Sequence, residues 1–193
     1  FIFSAEMLAR DSKKFGATPK ELLNRARLAA QKAGLKGIYF VGSVGADKVS
    51  ITQTLPDQTY DALSAYNYQY SASPTLAKRK LSTSYQELSD GYAQNWNFIL
   101  ENSQLPYILP LTSGWDKTPW GGSTDPLHDK SSSTPEQFSD HLKQAKLLIS
   151  KNPDKTLNTV VICCWNEFGE GSYIEPTKKF GFKYLEQIKN ILK

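Results

Sequence analysis

Short apolar runs alternate with capped amphipathic segments along this chain, and that alternation restricts the fold more than any other property. Gly37-Ile38-Tyr39-Phe40-Val41-Gly42, Tyr60 to Ala65, Tyr107-Ile108-Leu109-Pro110-Leu111 and Thr159-Val160-Val161-Ile162-Cys163-Cys164 read as strands, and Phe1-Ile2-Phe3 as the end of another. Most are continuously apolar, the mark of strands covered on both faces. Pro110 inside its run predicts a bulge or strand end. Thr18-Pro19-Lys20-Glu21, Ser84-Tyr85-Gln86-Glu87 and Thr134-Pro135-Glu136-Gln137 each set a hydroxyl three residues ahead of a Glu or Gln, the capping box of a helix start. Apolar residues then recur at helical spacing: Leu22, Ala26, Ala29 and Ala33; Tyr85, Leu88, Tyr92, Trp96 and Ile99; Phe138, Leu142, Ala145 and Ile149. A last helix from about Phe180 carries Tyr184, Ile188 and Ile191 on one side. Between the Gly37 to Gly42 strand and the weaker one over Tyr60 to Ala65, no strong helix signal stands out.

Buried strands separated by amphipathic helices indicate parallel βαβ units, hence an α/β fold. Four strands and four helices are about half of an eightfold (β/α) barrel, and a doubly wound sheet fits the same pattern. The 193 residues suit one domain. A chain that opens on Phe1 inside a strand reads as a fragment. The expectation is a single incomplete (β/α) barrel domain over residues 1–193 with its N-terminal strands missing. Such a half barrel exposes two sheet edges, so the segment alone is expected to be poorly soluble and inactive.

Several function classes fall away. The 23 Lys and Arg are scattered among 19 Asp and Glu, and the one tight basic cluster, Lys78-Arg79-Lys80, reads as a solvated loop rather than a nucleic-acid surface. No run is long enough to span a membrane. Cys163 and Cys164 are adjacent in an apolar run; neighbours on a strand point to opposite faces, so they read as small unbridged hydrophobes. His128 stands near Asp125 and Asp129 without the spacing of a zinc site, and His141 reads as a surface or packing residue. Gly42-Ser43-Val44-Gly45 is too loose for a nucleotide turn, no Gly-x-Ser-x-Gly elbow is present, and no cofactor is called for.

The chemistry concentrates where strands end, because α/β folds place their sites beyond the carboxyl ends of the strands. Three loops there are rich in aromatic and hydrogen-bonding groups. They are Tyr66-Asn67-Tyr68-Gln69-Tyr70, the Gly, Ser, Pro and Trp-rich stretch over 112–133 with Trp115, Asp116 and Trp120, and Trp165-Asn166-Glu167-Phe168-Gly169-Glu170-Gly171. The last carries two carboxylates three residues apart. Glycosyl chemistry commonly needs such a pair in distinct roles, and proximity drives their pKa values apart. Glu175-Pro176 follows, with Glu175 either touching sugar or pairing with a basic residue.

The string from Cys164 to Pro176 resembles the signature of the glycoside hydrolase family 99-like and WbsX-like proteins, close to Trp-Asn-Glu-Trp-x-Glu-Gly-x-x-Leu/Ile-Glu-Pro. Gly114-Trp115-Asp116-Lys117-Thr118-Pro119 is similar to that family's Gly-Trp-Asp-Asn-Thr-Pro loop, and Phe180 to Leu185 resembles its closing helix. The resemblance implies a (β/α)8 TIM-type barrel, with this chain roughly its C-terminal half, acting on an oligosaccharide or polysaccharide. It implies that Glu167 assists removal of the 2-hydroxyl proton, so that this oxygen attacks the anomeric carbon and gives a 1,2-anhydro sugar. Glu170 is then acid for the leaving group and base for water. Trp165 and Asn166 would orient the sugar or Glu167. Trp115 and Asp116 would line the cleft, with Tyr66, Tyr68, Trp120 and Glu175 as further substrate contacts.

Phe168 stands where the family has Trp, Gly169 where the endo-α-mannosidases of family 99 have His, Lys117 for Asn and Trp120 for Arg. The match is nearer the WbsX-like branch, described as glycosyltransferases of surface-polysaccharide synthesis. The preferred expectation is a retaining, endo-α-mannosidase-like glycoside hydrolase. A WbsX-like glycosyltransferase and a non-catalytic carbohydrate-binding relic are the alternatives. A hydrolase would work outside the cytoplasm, a transferase inside it.

Overall fold

The computed structural model describes residues 4–71 and 79–193. The expected strand at Phe1-Ile2-Phe3 and Lys78 of the basic cluster lie outside them. The chain begins with helix α1 (Ala5–Ser12), capped by Ser4, and α2 (Pro19–Lys32), where the Thr18–Glu21 capping box forms as expected. Strand β1 covers Val41–Ser43, so that only Val41 and Gly42 of the expected run are strand. Its start is delayed because the Asp61 carboxylate accepts the Phe40 N–H at 2.7 Å and pairs with Arg27 at 2.8 Å. A side chain thus replaces a strand partner just before the ladder, and Ile38 and Tyr39 remain exposed.

A helix follows where none was legible. Helix α3 has a π-helical turn over Ser50–Thr54 and continues as Leu55–Asp57, with Asp47 accepting the Ser50 N–H at 2.8 Å. β-Branched Ile51, Thr52 and Thr54 weaken the local helical preference; burial of Ile51 and Leu55 outweighs it. Then come β2 (Ala62–Ser64), α4 (Tyr85–Asn102), β3 (Leu109–Thr112), α5 (Pro135–Lys151), the short α6 (Pro153–Thr156), β4 (Val160–Cys163), a two-residue pair β5 (Asn166–Glu167) and β6 (Ser172–Tyr173), and α7 (Lys183–Ile191).

β1 pairs with β2 in parallel, Val41 opposite Ala62, and β3 with β4, Leu109 opposite Val160. A parallel bridge from Leu63 to Tyr107 joins the two pairs, with Leu63 N–H to the Pro106 carbonyl at 2.8 Å and Ile108 N–H to the Leu63 carbonyl at 2.9 Å. The strands therefore lie in chain order, all parallel, connected through helices. Among the described residues no strand pairs with the outer edge of β1 or β4. Of the bulge or strand end expected at Pro110, no bulge forms: Pro110 is the second residue of β3, in register opposite Val161, and its carbonyl accepts the Trp96 indole N–H at 3.0 Å.

The two faces of this sheet pack differently, as the alternation of side chains along a strand requires. Leu63, Leu109 and Leu111 join the helices in the main core, with Leu88, Tyr92, Trp96 and Ile99 of α4 and Phe138, Leu142 and Ala145 of α5. The periodic faces read from the sequence on α4 and α5 are the buried ones; on α2 the buried residues are Leu23 and Ala30, one position on from Leu22 and Ala29 of the expected face, and Ala29 and Ala33 are exposed. The opposite face holds a separate small layer of Val41, Ala62 and Ile108 with Val161 packed on it. His141 belongs to the main core: it is fully buried among Tyr85, Tyr92 and Trp96, and its Nδ1 lies 2.8 Å from the Ser89 hydroxyl. Burial lowers its pKa to about 3.

The unbridged reading of the cysteines is corrected. Cys163 and Cys164 are joined by a disulfide. The regular alternation assumed for them stops at Cys163, where β4 ends.

Candidate active site

All four parallel strands deliver their carboxyl ends to one edge, and hydrogen bonds between side chains and loops gather them there. The Ser43 hydroxyl at the end of β1 accepts the Tyr66 N–H at 3.2 Å. The hydroxyls of Thr112 and Ser172 lie 3.2 Å apart, and Ser172 donates to the Cys163 carbonyl at 3.0 Å, tying β3 to β4 and its hairpin. The Ser113 hydroxyl accepts the Tyr173 N–H at 2.8 Å.

The two candidate catalytic carboxylates sit on that hairpin. β5 and β6 pair antiparallel, Asn166 opposite Tyr173 and Glu167 opposite Ser172, and a 3-10 turn over Phe168–Glu170 joins them. Gly171 closes the turn in the left-handed region at φ 63°. A side chain there would meet the Asp116 backbone, whose N–H donates to the Glu170 carbonyl at 2.7 Å. This bond locks the Glu170 turn onto the loop after β3. Sequence reasoning missed the hairpin, although glycines inside Phe168-Gly169-Glu170-Gly171 are the usual signal of a tight reversal.

Tyr66 links the loop after β2 to both acids. Its hydroxyl donates to Glu170 Oε2 at 3.0 Å. Burial raises its pKa first; the bond to Glu170 and then the charges of Glu170 and Glu167 raise it further. Both carboxylates therefore act on one phenol from a neighbouring loop. Neither is held in an ion pair among the described residues. Carboxylates left without basic partners keep oxygens available for a ligand, whereas paired ones would be structural.

The aromatic candidates divide. Trp120 is 60% exposed and its indole lies over Gly169, leaving no room for a β-carbon there. Trp165 is 51% exposed, while its carbonyl accepts the N–H groups of Ile174 and Glu175 at 3.0 and 2.9 Å. Trp115 is largely covered: it is 6% exposed, stacks on His128 at 5.4 Å and donates to the Ser123 hydroxyl at 3.2 Å. Long-loop burial, invisible to local sequence, covers that indole. Tyr68 is likewise buried, its hydroxyl 2.9 Å from that of Tyr107.

Asp116 accepts the Thr118 N–H at 3.0 Å and so shapes its own loop. Asn166 is exposed beside Glu167. Glu175 is half-buried and forms no ion pair among the described residues, so the basic partner considered for it is not found.

His128 and Asp129 hold the loop over 112–133. His128 Nδ1 lies 2.7 Å from the Ser82 carbonyl. Burial would raise the Asp129 pKa, but bonds from Ser123 and the Lys117 N–H outweigh it and leave the carboxyl below its ordinary value. Among the described residues no three His, Cys, Asp or Glu side chains converge in a way that could hold a metal. No helix among them is long and apolar enough to cross a membrane.

A family model described as "Glycosyltransferase WbsX" matches residues 11–188. Among solved structures, a chain titled "Glycoside hydrolase-like protein" superposes with a TM-score of 0.60 at 16% identity. The superposition covers 91% of this chain and 50% of that one, so this chain spans about half the length of the structure it matches. At that identity the likeness concerns the fold. No curated protein matches the sequence.

Proposed function

Because this chain belongs to the WbsX glycosyltransferase family, we propose that it carries the carboxylate pair of a glycan-active (β/α) barrel enzyme. Strands outside the described sheet would complete the barrel by pairing with the open edges of β1 and β4, and the layer of Val41, Ala62, Ile108 and Val161 would become part of its interior. The observation that carries the catalytic reading is the Tyr66 hydroxyl 3.0 Å from Glu170 Oε2, on a phenol that also feels Glu167.

In this reading the protonated Glu170 gives its proton to the glycosidic oxygen. Glu167 takes the proton of the sugar 2-hydroxyl, whose oxygen bonds to the anomeric carbon as the bond to the leaving group breaks. Glu170, now a carboxylate, deprotonates water, which opens the anhydro ring at the anomeric carbon. The 2-oxygen recovers its proton from Glu167. Two inversions give net retention. Tyr66, donating to one Glu170 oxygen, orients the carboxyl so that the other faces the leaving group. The exposed indoles of Trp120 and Trp165 suit the apolar faces of sugar rings.

Membership of a family named for glycosyl transfer favours a second reading, in which an acceptor hydroxyl replaces water in the last step. The test is to incubate the full-length protein with α-mannan and, separately, with a nucleotide sugar and acceptor. Glu170→Gln is expected to lower turnover by about 10²–10⁴-fold while glycan binding survives. Undiminished turnover in that variant would remove Glu170 from the mechanism.

A further inference from the structure

Against Tyr66 lies a cavity of about 530 Å³ that the mechanism above does not use. This is within the roughly 300–1,000 Å³ of small-molecule sites. It opens at the ends of β1 and β2, and Tyr66, whose hydroxyl bonds to Glu170, is one of its walls. Arg79, Asn95, Asn67 and Tyr68 form much of the rest.

Arg79 is the middle of the basic triplet that the sequence presented as a solvated loop. Instead its guanidinium is part-buried against α4, where Nη2 donates to Gln94 Oε1 at 2.7 Å and Nη1 to Asn95 Oδ1. Both acceptors are neutral amides, which position the guanidinium without cancelling its charge. Among the described residues it forms no ion pair, and residues 1–3 and 72–78 contain no Asp or Glu. Of the acids on the cavity walls, Asp47 is engaged in capping Ser50 and Glu6 lies exposed on α1. A half-buried cation without a counter-charge is costly, and an anionic ligand relieves that cost.

Three N–H donors in the walls also lack a partner among the described residues: Arg79 Nε, Asn95 Nδ2 and Asn67 Nδ2. The amide orientations follow from their neighbours. Asn95 Oδ1 is taken by Arg79. Tyr92 accepts the Tyr68 N–H at 3.1 Å and so donates its own proton to Asn67 Oδ1 at 2.6 Å, which leaves each amide's NH₂ unused. The unmet groups are thus all donors, one of them charged. Acceptor-rich oxyanions complement such a set, and the planar guanidinium suits carboxylate and phosphate alike.

We propose that this cavity is a subsite for an anionic substituent, a carboxylate or phosphate carried on the glycan, with Arg79 as its recognition residue. The proposal rests on the glycan reading above for the rest of the ligand. It makes the preferred substrate an acidic saccharide, with the charged unit held next to Tyr66 and the bond to be broken at Glu170.

Calorimetric titration of the full-length protein would compare a galacturonic acid trisaccharide, its carboxyl-reduced neutral counterpart and inorganic phosphate. The acidic trisaccharide is expected to bind about tenfold more tightly than the neutral one, the worth of one charge-assisted contact. About 0.5 M salt should erase that preference. Arg79→Gln should erase it too while sparing neutral binding, and Arg79→Lys should keep part of it.

Equal affinity for the two trisaccharides overturns the subsite and leaves the glycan reading standing. A preference that survives in folded Arg79→Gln also overturns it. Phosphate bound by the parent protein, lost in Arg79→Gln and unaccompanied by any saccharide binding supports the anion cavity and refutes the glycan reading. Failure of every probe refutes both. Should Arg79→Gln fail to fold by circular dichroism, the salt series and Arg79→Lys decide between the same outcomes.

Discussion

Replacing Gly171 by Ala tests whether the carboxylate turn is locked to its neighbouring loop. Gly171 has φ 63° and ψ 19°, and a β-carbon there would lie 2.5 Å from Asp116 N and 2.6 Å from Asp116 Cβ. Neither loop can yield without stretching the 2.7 Å bond from Asp116 N–H to the Glu170 carbonyl. The left-handed conformation costs a non-glycine residue about 1–2 kcal/mol. Loss of the hydrogen bond adds about 1–3 kcal/mol.

Gly16 supplies the control. It has φ 58° and ψ 33°, with nothing within 4 Å of an added β-carbon, so Gly16→Ala carries the conformational cost alone. Gly171→Ala should therefore exceed Gly16→Ala by about 1–3 kcal/mol. At about 2–4 °C per kcal/mol for a domain of this size, that is a difference of at least about 2 °C in Tm. Differential scanning calorimetry of the two variants measures it. Amide exchange at Asp116 should accelerate in Gly171→Ala alone. Since a displacement of about 1 Å at a reacting group costs about 10²-fold, turnover should fall with the lock. Equal melting of the two variants, with unchanged exchange at Asp116, would refute the claim that the two loops are coupled through this contact.

The buried His141 sets an acid limit on stability. Its folded pKa of about 3 lies below the unfolded value of about 6.5, so between those values the unfolded chain binds the extra proton and stability falls as pH falls. From pH 7 to 5 the loss is about 2 kcal/mol by urea unfolding, and His141→Gln should flatten that slope; an unchanged slope in the variant would assign it elsewhere. Trp115→Ala should destabilise by about 3–5 kcal/mol, as removal of a buried indole does, whereas Trp120→Ala should leave the melting temperature nearly unchanged and weaken glycan binding. The reverse pattern in melting and titration would exchange their roles. Tyr66→Phe should lower kcat by about 10–100-fold through loss of a bond to a charged group, with little change in Tm; unaltered kcat would make that phenol a bystander.

The sequence by itself determined the elements whose causes are local. Capping boxes at Thr18 and Thr134 began helices where the spacing put them, and the 3.6-residue periodicity from Tyr85 to Ile99 marked the face that the core covers. Parallel topology followed from continuous apolar strands, and with it the edge to which Tyr66, Glu167 and Glu170 are delivered. The tertiary structure decided whatever depends on residues far apart in the chain. Trp115 and Trp120 share one loop and the same residue type, yet one indole is covered by His128 and the other lies open over Gly169. Arg79 left solvent because Gln94 and Asn95 of α4 supply acceptors that no local pattern announces. Helix α3 formed against weak local propensity because Ile51 and Leu55 found a core to enter. Backbone periodicity is written in near neighbours, whereas burial and hydrogen-bond partnership are properties of what the folded chain brings alongside.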